Sequence, residues 1–186
     1  MPARFIGRSK QLFPRGKRME LGLTFPLQRF LKISPPPYGA EADRRLCWDL
    51  HCIDLQGRKC LLAVHCHSRY TFVRFDVMPF QWADIPGLFR QGAAESLLAA
   101  GFTQQQITDS GLFSKAAIIT RTHGRREVAF LNRAWEDVLR FDSSLDLSSQ
   151  AQPLLEYAVN TQPSRCVGFE GLGTSLARMT ALMELK

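Results

Sequence analysis

The chain has 186 residues, 45% hydrophobic and 22% charged, with 24 Lys and Arg against 17 Asp and Glu, a formal net charge of +7. That length and balance suit one ordinary domain with a real core, and no apolar run approaches the roughly 18 residues a bilayer helix needs. The N-terminus lacks the continuous apolar segment of a secretory signal. The five cysteines, an odd number in a chain too long to need disulfide staples, point to free thiols in a reducing, cytoplasmic setting.

Most of the excess charge is local. Arg4, Arg8, Lys10, Arg15, Lys17 and Arg18 lie in the first 18 residues, which hold no acid, and the rest of the chain carries 18 basic residues against all 17 acids. Residues 1–18 read as a disordered basic arm suited to phosphates, or as sequence upstream of a start at Met19. Two prolines spoil the amphipathic helix of an organellar presequence.

Residues 20–25 form a first strand candidate, and Pro26 opens a short helix. Residues 34–45 contain three consecutive prolines and are a loop. The next stretch, CWDLHCIDLQGRKCLLAVHCHSRY, alternates twice. Leu46, Trp48, Leu50 and Cys52 share one face of a strand over 46–53, and Cys60, Leu62, Val64 and Cys66 share one face of a strand over 60–67. A three-residue turn with Gly57 at positive φ pairs Asp54 with Arg58 and puts both apolar sets on one side of the sheet. A third strand is expected over 70–77.

Asp84 caps a helix over 85–100 that ends at Gly101, and Thr103 with Gln106 forms a capping box. Residues 114–122 are β-branched and strand-like. The turn at His123–Gly124 leads to a helix over 127–140. A Ser- and Asp-rich connector follows, then weaker helical signals near 154–159 and 174–185.

The expected architecture is α+β: a small, mainly antiparallel β-sheet covered on one face by two main α-helices, with a partly helical C-terminal tail. The chain divides into the arm at 1–18, one domain at 19–141, and a connector and tail at 142–186. Trp48, Leu50, Leu62, Val64, Leu88, Leu97, Leu131 and Trp135 are the expected core.

In this register Cys47 opposes His65 on the non-core face, beside Asp49, His51 and His67. These five are the side chains that could hold a transition metal. Neither C-x-x-C nor H-x-x-x-H spacing accompanies them, so no metal and no cofactor is expected, and Cys52 and Cys60 read as small buried hydrophobes. No nucleophile elbow is present, and the glycines of GFEGLGTS lack the lysine of a phosphate loop. Arg121, Arg125 and Arg126 crowd a turn at a helix N-terminus, where backbone N–H groups favour anions.

The run WDLHCIDLQGRKCLLAVHCHSRYTF, followed by LFRQGAAESLLAAGF and RREVAFLNRAWEDVL, resembles an uncharacterised microbial family, domain of unknown function 6933. Its members carry a short strand and helix, a Trp, an Arg-Lys hairpin, a strand, a long helix ending in Gly, and an Arg and Asn opening a later helix. Here the matching positions are residues 19–31, Trp48, Arg58 with Lys59, residues 70–77, residues 88–101, and Arg125 with Asn132. Ala129, at a position the family fills with a small residue, is a mild departure. The resemblance spans about residues 19–141. It implies a fold but no reaction, and it singles out Arg58, Lys59, Arg125 and Asn132.

The expected function is a cytoplasmic binding or interaction module that contacts nucleic acid or a protein partner, without membrane, through Arg58, Lys59, Arg121, Arg125, Arg126, Asn132 and the basic arm. The alternative is a small metal-dependent or hydrolase-type enzyme using the Cys47, Asp49, His51, His65 and His67 face.

Overall fold

A computed structural model of the chain describes residues 18–109 and 116–184. The basic arm falls outside the described residues except for Arg18, whose backbone N–H donates to Glu41. The elements in chain order are β1 (Met19–Leu23), α1 (Phe25–Leu31), β2 (Cys47–Leu55), β3 (Arg58–His65), β4 (Thr71–Arg74), α2 (Ile85–Ala99), α3 (Gln104–Asp109), β5 (Ala117–Arg121), α4 (Arg125–Arg140), α5 (Pro153–Asn160), a two-residue pair β6 (Ser164–Arg165) and β7 (Leu172–Gly173), and α6 (Ser175–Glu184).

The fold is α+β, but the sheet is mixed rather than mainly antiparallel. Its order is β4-β3-β2-β1-β5. β1 lies between β2 and β5 and runs parallel to both, while β2–β3 and β3–β4 are antiparallel. Antiparallel neighbours can be joined by tight turns. The parallel pairs need long crossovers, supplied here by α1 with the proline loop and by the whole β2–α3 stretch.

The hairpin register also differs from expectation. Gln56 and Gly57 form a two-residue turn with φ of 49° and 73°, the doubly positive backbone of the turn type whose twist suits a hairpin. Asp54 therefore pairs with Lys59, Cys52 with Leu61, and Trp48 with His65. A one-residue slip exchanges faces, so the two apolar sets lie on opposite sides of the sheet, and helices cover both sides instead of one. Trp48, Leu50, Leu61 and Ala63 pack with Leu88, Phe89 and Leu97 of α2 and with Met179 and Leu182 of α6. Cys60, Leu62 and Val64 pack with Leu131 and Val138 of α4 and Leu155 of α5, and Trp135 is partly buried against them. Strands buried on both faces need not alternate apolar with polar, and β3 is continuously buried from Cys60 to His65.

The helix ends follow their sequence signals. Asp84 accepts from Gly87 N–H at 2.9 Å, Thr24 accepts from Leu27 N–H, and the Thr103–Gln106 box closes in both directions at 3.1 and 2.8 Å.

The outer edge of β4 is occupied by side chains of α5 and the segment before it. Asn160 bonds both backbone groups of Thr71, its Oδ1 accepting at 2.8 Å and its Nδ2 donating at 2.7 Å. Glu156 accepts from Val73 N–H at 3.0 Å and from the Ser96 hydroxyl at 2.5 Å, and Gln150 O accepts from Phe75 N–H. Burial pushes the Glu156 carboxyl up from 4.5 to about 7. The folded state thus holds a proton that the unfolded chain releases above its lower pKa, so this contribution to stability is present at low pH and lost as pH rises through 7. Glu156→Gln keeps one oxygen to accept from Val73 N–H and turns its NH2 to donate to the Ser96 hydroxyl oxygen, reversing that bond and removing the charge. It is expected to raise stability by about 2–3 kcal/mol at pH 8 and to change nothing at pH 4, as read from urea midpoints at the two pH values.

Candidate functional site

Three strands, β1, β2 and β5, deliver polar side chains to one end of the sheet. Pairing of Glu20 with Cys47, and of Gly22 with Asp49 and Thr120, places all of these on a single face. Cys66 sits just past β3, its N–H donating to Cys47 O at 2.9 Å, so the two cysteines are cross-strand neighbours. After β5 the chain turns back and lays His123 over Gly22. A Cβ at Gly22 would stand 2.2 Å from Asp49 Oδ1 and 2.9 Å from His123 Nδ1, so the absent side chain is the space the imidazole needs.

The ring of His123 is held between two carboxylates. Nδ1 lies 2.6 Å from Asp49 Oδ1 and Nε2 lies 3.2 Å from Glu20 Oε2, with side-chain exposures of 1% for His123, 2% for Asp49 and 6% for Glu20. Cys66 Sγ is 3.6 Å from Nδ1. The second oxygen of Glu20 accepts from the N–H groups of Ala40 and Glu41 at 2.8 and 3.0 Å, which fixes that carboxylate. Arg44 donates to His123 O at 3.2 Å, reaches Cys47 Sγ at 4.0 Å and stands 3.9 Å from Glu127.

Burial raises the Asp49 carboxyl pKa against the opposing pull of His123. Burial also works against charge on His123, yet its hydrogen bonds to Asp49, Cys47 and Cys66 carry it far above the usual histidine range. The Cys66 thiol is pushed up to about 12, chiefly by burial. The proton between ring and carboxylate therefore stays on the ring, and the thiol stays protonated at neutral pH.

Only part of the expected metal-ligating set meets here. Cys47 and Asp49 belong to the cluster. His51, one step along the same face, instead bonds Thr24 at 2.7 Å and packs edge-on to Trp135. His65 points to the other face beside Trp48, bonded to Ser68 and to Arg45 O, and burial pushes it down to about 4. His67 lies in the following turn against Phe169. Glu20, Cys66 and His123 complete the cluster. Cys66 follows from Cys47 once the turn is read as two residues. Glu20 and His123 depend on the parallel pairings.

The expected anion-binding residues do not form one patch. Arg58 pairs with Asp76 at 3.5 Å and Lys59 with Asp54 at 2.8 Å. They sit at the turn end of the hairpin, about 26 Å along β2 from Cys47. Arg121 is anchored by Pro36 O at 3.0 Å and by the Tyr38 hydroxyl and ring. Arg125 and Asn132 are exposed on α4. Arg126 bonds Glu127 at 2.8 Å and lines a small cleft over Cys66, together with Arg44, His67 and Phe130.

Phe130 is shared with a larger groove of about 110 Å³ whose walls include Arg69, Arg133, Arg140 and Asp137. The Arg69 guanidinium stands over the Phe130 ring, 3.2 Å from its centroid. Its Nε is buried with no hydrogen-bond partner among the described residues. Asp137 is shared by Arg133 at 4.0 Å and Arg140 at 3.2 Å.

Fold and site together define a class of small α+β protein, with helices on both faces of a mixed sheet and a buried thiol–imidazole–carboxylate cluster beneath an arginine-lined surface. Within that class the chain belongs to the family described as Domain of unknown function (DUF6933), whose family model matches residues 20–171. The match runs past Phe141 through α5, so the family unit includes the helix that closes the β4 edge. No curated protein matches the chain.

Proposed function

We propose that this protein is a binding module for a phosphate-bearing polymer, nucleic acid in the first instance, engaged along the arginine strip on α4. The observation that carries the reading is Arg69, stacked on Phe130 with a buried Nε that has no hydrogen-bond partner among the described residues, in a groove that also holds Arg133 and Arg140. Arg44 and Arg126 extend the strip across Phe130, and the acids that partner these arginines, Glu127, Glu136 and Asp137, are fewer than the arginines. Guanidinium groups suit phosphate because they present paired donors and stack on flat rings. An aromatic ring set between two basic stretches is the arrangement that single strands use to stack a base.

The near-neutral body confines this attraction to the strip and the arm. Fluorescence anisotropy with mixed single- and double-stranded oligonucleotides over a salt series tests it. The full chain is expected to bind with affinity that falls steeply with salt. Arg133→Ala with Arg140→Ala should weaken every sequence alike and reduce the salt slope by about 1 for each phosphate no longer neutralised. Binding unchanged in that double variant would end the strip reading, and binding lost only on deletion of residues 1–17 would transfer it to the arm. Absence of binding by the full chain would turn attention to an acidic protein partner.

A further inference from the structure

The strongest unexplained feature of the molecule is the buried cluster around His123, which the anion reading does not use. Two carboxylates, two thiols and one imidazole converge there. The ligating atoms of Asp49, Cys66 and His123 lie within 4.8 Å of one another, and so do those of Glu20, Cys47 and His123. Acid, thiol and imidazole at one buried point are the donor set of zinc-type cations rather than of calcium or magnesium, which take oxygen alone.

The spacing fits. With Zn–N near 2.05 Å and Zn–S near 2.3 Å, a tetrahedral centre separates its nitrogen and sulfur ligands by about 3.5 Å. Cys66 Sγ and His123 Nδ1 stand 3.6 Å apart. Asp49 Oδ1 and Nδ1 are closer, at 2.6 Å, the length of a hydrogen bond with the proton still between them. Replacing that proton by a cation requires this pair to open to about 3.4 Å. On the far side of the ring Glu20 takes Nε2–H, itself locked by two backbone N–H groups. A carboxylate holding the distal nitrogen of a ligating histidine is the usual outer partner that fixes tautomer and ring direction. Gly22 supplies the room. Thr120, its strand partner on the same face, keeps a buried hydroxyl without a hydrogen-bond partner among the described residues.

We propose that Asp49, Cys66 and Nδ1 of His123 ligate a zinc-type divalent cation as its three protein ligands, with Glu20 as the residue that positions the ring. This site stands independently of the nucleic-acid reading.

The full chain, freed of metal by a chelator, is titrated with cobalt(II) and then with zinc(II) against a competing chelator. One equivalent of cobalt is expected to give a near-ultraviolet thiolate-to-cobalt charge-transfer band, and zinc to displace it. Cys66→Ala and Asp49→Asn should each lower zinc affinity at least tenfold, with Cys66→Ala also weakening the thiolate band. Glu20→Gln should lower affinity about 10–100-fold with the band retained. Cys52→Ala, on the opposite sheet face, should behave as the parent. Thermal unfolding with and without zinc guards against simple misfolding: zinc should raise the parent's Tm and leave that of Cys66→Ala unmoved. Absence of a thiolate band in the parent, or a band and zinc shift that survive Cys66→Ala unchanged, would overturn the assignment.

Discussion

His123→Ala is expected to lower the stability of the metal-free fold by about 3–5 kcal/mol at neutral pH, because it leaves two buried carboxylates with no positive partner between them. In the native chain His123 bonds Asp49 and Glu20 at once, all three nearly inaccessible to water. Removing the ring deletes both hydrogen bonds and leaves a void over Gly22. The loss has a pH signature of known sign. Burial already raises the Asp49 pKa, and without the ring only the backbone N–H of residue 123 still opposes that shift. The variant's carboxyl then takes up a proton more readily when folded than when unfolded, so its deficit shrinks as pH falls. Adding Asp49→Asn to His123→Ala should restore part of the loss at neutral pH by removing the unpaired charge. Urea unfolding of the three proteins in chelator reads this directly. A single variant within about 1 kcal/mol of the parent would mean that water enters the cluster and solvates the acids.

Trp48→Ala should lower stability by a similar amount, about 3–5 kcal/mol, for an unrelated reason. The indole is 1% exposed and packs against Phe89 at 5.2 Å, Phe72 at 5.7 Å and His65 at 4.8 Å between ring centroids. Backbone on one side and α2 on the other leave little freedom to collapse into the vacated volume. Differential scanning calorimetry should show Tm reduced by about 10 °C. The change should be nearly independent of pH above the His65 range, in contrast to His123→Ala. Trp135, expected from sequence to be equally central, is only partly buried, and its truncation should have a smaller effect.

The contrast between these two tryptophans shows where sequence reasoning carries and where it stops. Period-two alternation around Trp48, the Asp84 cap and the Thr103–Gln106 box are local, and the structure contains each of them. The hairpin turn is also local, yet Gln56 gives little sign that it adopts a left-handed backbone. Moving the turn by one residue places His65 on the Trp48 face and sets Cys66 opposite Cys47. The parallel partners of β1 lie far from it along the chain, and no periodicity in residues 19–23 says that β2 and β5 flank them. For that reason Asp49 and Cys47 could be singled out from sequence, while Glu20 and His123, the other halves of the same cluster, could not. The arginines show the same limit: proximity along the chain groups Arg121, Arg125 and Arg126, and only the fold shows Arg126 beside Arg44 and next to the Arg69 groove.

The closure of β4 by Asn160, Glu156 and Gln150 has a bearing on how this molecule meets others. An uncovered outer strand offers its backbone to any extended peptide, including a neighbouring copy of itself. Here the amide of Asn160 imitates a passing strand by taking both the donor and the acceptor of Thr71, and at the opposite margin Pro37 O takes the N–H of Arg121. Fibril growth from the β4 edge would first have to peel α5 away.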